Sequence, residues 1–72
     1  MEKVTYKMIK SRVEYLNGRF QFKIFVDEIG SNLYYLDIQG EGRRMKLATC
    51  RTNKEVYAVL DAVENLSCFL GL

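Results

Sequence analysis

Three stretches of this chain alternate apolar and polar residues with a period of two: RFQFKIFVD (19–27), LYYLDIQ (33–39) and RRMKLAT (43–49). Successive side chains of a β-strand point to opposite faces, so the pattern commits each stretch to one buried and one wet side. Phe20, Phe22, Ile24 and Val26 share a side, opposite Arg19, Gln21, Lys23 and Phe25. Tyr34, Leu36 and Ile38 oppose Leu33, Tyr35, Asp37 and Gln39. Met45 and Leu47 alternate with Arg44, Lys46 and Ala48. Asn17-Gly18, Gly30-Ser31-Asn32 and Gly40-Glu41-Gly42 separate the runs, and glycine and asparagine are the residues that tolerate the positive φ of tight turns.

The segment before Asn17 is less regular. Val4, Tyr6 and Met8 share one parity, and Ile9, Val13 and Tyr15 take the other. A bulge near Ile9–Ser11 reconciles the halves and makes this a first strand, joined to the next by a hairpin at Asn17-Gly18. After the last run, Thr52-Asn53-Lys54-Glu55 fits a capping box. Val56, Val59, Leu60, Val63 and Leu66 then recur at helical spacing, with Tyr57 beside them. The expectation is an α+β fold: a single antiparallel four-stranded meander sheet followed by one C-terminal helix packed on one face (β-β-β-β-α). Residues 1–72 form a single domain. The apolar tail, SCFLGL, either finishes the core rim or meets a partner or second copy through Phe69 and Leu70.

Composition removes several function classes. Nearly half the residues are apolar, which excludes a wholly disordered chain. No apolar run approaches the roughly 18 residues of a membrane span, and MEKVTYKMIK lacks the apolar core of a signal peptide. A cytoplasmic protein with no membrane partner is expected. The absence of His removes Ser-His and Cys-His nucleophile pairs. Without His or a CxxC pair, no zinc or other metal site is expected, and Asp27, Glu28 and Asp37 read as solvated acids. Gly40-Glu41-Gly42 lacks the continuation of a phosphate loop. Cys50 and Cys68 are too few for a disulfide framework and read as two small buried thiols. A non-enzymatic protein without cofactor follows.

Net charge is only +2, but it is segregated. Residues 27–42 hold four acids and no base, whereas residues 43–54 hold five bases and no acid. Segregation of this kind builds a basic face on a nearly neutral protein.

Residues 43–66, R-M-K-L-A-T-C-R-T-N-K-E-V-Y-A-V-L-D-A at their centre, resemble the last strand and helix of the plant ethylene-response-factor DNA-binding domain. They are also similar to the arm-type N-terminal domain of phage and transposon tyrosine integrases. The likeness extends loosely back to Arg19, although no Trp stands on the contact face. It implies three antiparallel strands followed by a helix, with the open sheet face entering the DNA major groove. It assigns nucleic-acid contact to Arg19, Gln21, Lys23, Tyr35, Arg44 and Lys46.

Two functions are thus expected to compete. One is a small DNA-binding protein that uses the open basic face of its sheet. The other is a phage or mobile-element interaction module, an inhibitor or accessory subunit that binds a host protein by sheet face, edge strand or tail. A homodimer is compatible with either.

Overall fold

A computed structural model describes residues 3–72; the first two residues of the expected domain lie outside the described residues. The three alternating runs form an antiparallel meander of β1 (Lys23–Gly30), β2 (Leu33–Gly40) and β3 (Arg43–Cys50), in the order β1-β2-β3. The β2–β3 hairpin closes on two residues, with Gly40 opposite Arg43. Glu41 and Gly42 between them both have positive φ, 52° and 80°. That combination matches the right-handed twist of the flanking strands, and glycine meets it without steric cost.

The expected fourth strand does not exist. Residues Tyr6–Arg19 form a helix, α1, so the order is α-β-β-β-α and not β-β-β-β-α. Ile9, Val13 and Leu16 are spaced i, i+4, i+7, which places them along one helical stripe. The parity break that a bulge was invoked to repair is this helical period. Thr5 caps the N-terminus, its hydroxyl accepting from the Met8 N–H at 3.3 Å. Asn17-Gly18 makes no hairpin; both residues sit in the last turn of α1. There the Asn17 amide exchanges two hydrogen bonds with the backbone of Ile24, accepting from its N–H at 2.7 Å and donating to its carbonyl at 3.2 Å. The side chain supplies what a neighbouring strand would have supplied to the edge of β1.

α2 (Asn53–Phe69) runs three residues beyond the apolar stripe that ends at Leu66. The Thr52 hydroxyl accepts from the Glu55 N–H at 3.1 Å, the forward half of the expected box. The return half reaches one residue further back, where Glu55 accepts from the Arg51 N–H at 2.8 Å. At the other end Gly71 adopts φ +76°, the Gly71 N–H donates to the Cys68 carbonyl and the Leu72 N–H to the Ser67 carbonyl. This is the Schellman closure, and glycine is suited to its left-handed position. Most of the expected tail is therefore helix and helix cap.

Both helices cover the same face of the sheet. Ile9 and Leu16 from α1, and Val56 and Leu60 from α2, share one core with Phe20, Ile24, Tyr34, Leu36 and Cys50. In β3 the register shifts against Leu36/Asp37. Ala48 and Cys50 pair with the inward-facing Leu36 and Tyr34, whereas Lys46 pairs with Asp37 and Arg44 with Gln39. Leu47 is the extra residue, and it packs on the core together with Ala48. Ala48, expected on the wet side, is turned inward by this bulge.

No helix among the described residues is long and apolar enough to cross a membrane.

Candidate nucleic-acid interface

With α1 and α2 on one side, the other face of the meander is uncovered. Strand pairing arranges its side chains in three rows. Lys23 pairs with Gln39, which pairs with Arg44. Phe25 pairs with Asp37, which pairs with Lys46. Asp27 pairs with Tyr35, which pairs with Thr49. Three cations and two carboxylates give the face a charge of +1, with the cations on β1 and β3.

Arg44 is the most constrained of these cations. Its Nε donates to Asp37 Oδ2 at 3.0 Å, and its guanidinium carbon lies 4.2 Å from the centre of the Phe25 ring. Lys46 Nζ lies 4.8 Å from the centre of the Tyr35 ring. Cation–ring contacts at exposed sites contribute about 0.5–1 kcal/mol each, and an exposed ion pair contributes ~0–1 kcal/mol. Such contacts do little for the stability of the fold. Their effect is to fix where the charges stand.

Of the six residues expected to contact nucleic acid, Lys23, Tyr35, Arg44 and Lys46 share this face. Arg19 does not. It closes α1, where it donates to the Tyr15 hydroxyl at 2.7 Å and to Glu64 Oε2 at 3.1 Å. Gln21 lies in the exposed connection between α1 and β1. Both were assigned to a strand that begins only at Lys23. Gln39 was absent from the expected contact set, although the same alternation puts it beside Arg44. The Phe25–Arg44–Asp37 clamp had no sequence signal, because it joins residues on three strands.

The interhelical side is polar in a different way. Arg12 donates to Glu64 and, at 2.8 Å, to the Tyr57 hydroxyl, with its guanidinium over the Tyr57 ring at 5.0 Å. The hydrogen bond to Tyr57 holds the Arg12 guanidinium above its ordinary pKa, so it stays charged. Glu64 thus accepts from arginines at two positions of α1. These cations are committed to holding two helices together.

At one end of the domain, Lys3, Arg51 and Lys54 line a shallow cleft with Ser31 and Asn32. At the C-terminal end of α2, Phe69 is 84% exposed, Leu70 60% and Leu72 71%. Among the described residues no group of three or more His, Cys, Asp or Glu is placed to hold a metal ion.

Compared with protein-family models, curated proteins and solved structures, the chain matches none.

Proposed function

We propose that this is a small DNA-binding protein whose contact surface is the sheet face turned away from the helices. The observation that carries the reading is the uncovered sheet face itself, on which Lys23, Gln39, Arg44 and Lys46 stand together over two edge strands and a centre. Lysines supply salt-dependent phosphate contacts, and Arg and Gln pair with base edges. The resemblance of residues 43–66 to sheet-plus-helix DNA-binding domains supports the same surface.

The test is fluorescence anisotropy with labelled duplex DNA across a salt series. Two phosphate-facing lysines predict log K falling against log salt with a slope of roughly −2. Lys46→Glu and Lys23→Glu should each weaken binding and flatten that slope by about 1 or more, without a change in the denaturation midpoint. Lys54→Glu, in the end cleft, is the control and should leave the slope unchanged. Absence of binding at low salt, or loss of binding only with Lys54→Glu, would remove the sheet face from consideration.

A second reading has its own observation. The exposed Phe69, Leu70 and Leu72 make an apolar end suited to a protein partner. Capture of a partner protein that survives nuclease treatment and is lost with Phe69→Ser and Leu70→Ser supports that reading over the first.

A further inference from the structure

We infer that the cleft at the β3–α2 end of the domain binds a small molecule carrying a phosphate monoester. The site is separate from the open sheet face and stands or falls without it.

Three segments far apart in sequence meet at this cleft: the residues before α1, the turn between β1 and β2, and the junction between β3 and α2. They set Lys3, Arg51 and Lys54 around the same space as the Ser31 hydroxyl and the Asn32 amide, in a volume of about 600 Å³. Small-molecule sites have volumes of this order. Two hydrogen bonds hold the walls. Asn53 Nδ2 donates to the Val4 carbonyl at 3.2 Å, which ties the backbone beside Lys3 to the start of α2. The Arg51 N–H donates to the Glu55 carboxylate at 2.8 Å. Both bonds fix backbone and leave the three cationic side chains uncommitted.

That freedom sets these cations apart. Arg12 and Arg19 are paired with Glu64, and Arg44 with Asp37. Lys3, Arg51 and Lys54 make no ion pair among the described residues. No carboxylate is among the described residues that line the cleft. Like charges gathered around one space repel each other, and an anion placed between them relieves that repulsion. α2 begins at the same cleft, and the positive end of a helix adds to the field of the three side chains.

The donor set selects among anions. A phosphate monoester carries roughly −1.5 to −2 charge at neutral pH and three strong acceptor oxygens. Three cations, a hydroxyl and an amide can satisfy all of it. A carboxylate carries a single charge on two oxygens, and a phosphodiester also carries a single charge, so either leaves cations in surplus. The same difference separates this site from one for a nucleic-acid backbone, whose phosphates are diesters.

The test is a titration of the isotope-labelled full chain, followed by amide chemical shifts, with methyl phosphate, dimethyl phosphate and sodium chloride at matched ionic strength. Methyl phosphate should give saturable shifts at Ser31, Asn32 and Lys54 and bind about five-fold or more tightly than dimethyl phosphate. Arg51→Gln and Lys54→Gln should each weaken methyl phosphate about ten-fold. Lys23→Gln, on the sheet face, should leave its affinity within about two-fold. Shifts that grow alike in all three titrations without saturating would overturn the inference. So would equal affinity for the monoester and the diester, or a loss with Lys23→Gln as large as that with Arg51→Gln.

Discussion

The two helices lie on the same face of the same sheet and are held there by different means. α2 carries its own anchors: buried Val56 and Leu60 along one stripe, a threonine cap before it and a glycine closure after it. Each end is satisfied by residues within a few positions in sequence. α1 likewise buries two apolar residues, Ile9 and Leu16, and has a threonine cap of its own, but more of its side-chain ties run to other elements. Arg12 reaches Glu64 and Tyr57, Arg19 reaches Glu64, and Asn17 holds the backbone of Ile24. An isolated helix of this length is marginal in water. The difference teaches that α2 has local reasons to form, whereas α1 is stabilised by elements that follow it.

The sharpest way to break that contrast is to empty the core from each side. Leu16→Ala and Leu60→Ala should each cost about 2–5 kcal/mol by urea denaturation, in a single transition. Both side chains are fully buried. A much smaller loss for Leu16→Ala, or a separate early transition, would mean that α1 is a satellite and not part of one cooperative unit. Next in size is Asn17→Ala, which leaves the Ile24 N–H and carbonyl without partners and should cost about 1–3 kcal/mol. Hydrogen exchange should show the Ile24 amide losing protection while amides of β2 keep theirs. The caps give a finer comparison. Thr52→Ala should cost ~1 kcal/mol, and Thr5→Ala, whose bond is longer, should lie toward the lower end of the 0.5–2 kcal/mol capping range.

The smallest effect separates the core from its rim by pH. Burial pushes the Cys50 thiol above its ordinary pKa, with the Glu55 carboxylate adding to the shift. Burial also raises the Tyr34 hydroxyl. Each folded-state pKa lies above the unfolded one, so the stabilisation is present at neutral pH and is lost as the unfolded chain ionises, beginning near pH 8.5 for the thiol. Stability should therefore decline through the alkaline range, less steeply in Cys50→Ala. Of the two thiols expected to be buried only Cys50 is, so thiol labelling at neutral pH should modify the exposed Cys68 well before Cys50.

The contrast between the helices also explains what could be read in advance. The three strands and α2 announce themselves locally. Alternation marks the strands, and T-N-K-E marks the start of the helix. For α1 the short-range pattern is mixed. Val4, Tyr6 and Met8 mimic a strand and Asn17-Gly18 mimics a turn, whereas Ile9, Val13 and Leu16 carry the helical period; the Arg12 contacts that tie the helix down lie 45 and 52 residues away in the chain. The same limit applies to the candidate surface. Parity alone puts Lys23, Tyr35, Arg44 and Lys46 on one side, provided each strand starts where its alternation starts. β1 starts four residues later than its alternation, which is why Arg19 and Gln21 fall elsewhere. The clamp on Arg44 depends on Phe25 and Asp37 from two other strands, a juxtaposition that pairing creates and periodicity does not encode.

The bulge at Leu47 decides which way the cations of β3 face. Counting back by twos from the inward Cys50 and Ala48 would aim Lys46 and Arg44 at the hydrophobic interior. The supernumerary Leu47 inverts that count and hands both cations to solvent. Deleting Leu47 would leave Lys46 and Ala48 adjacent, opposite the adjacent Asp37 and Leu36, so a chain without it keeps its cations on the outer side and loses only the apolar cover that this side chain lays on the core.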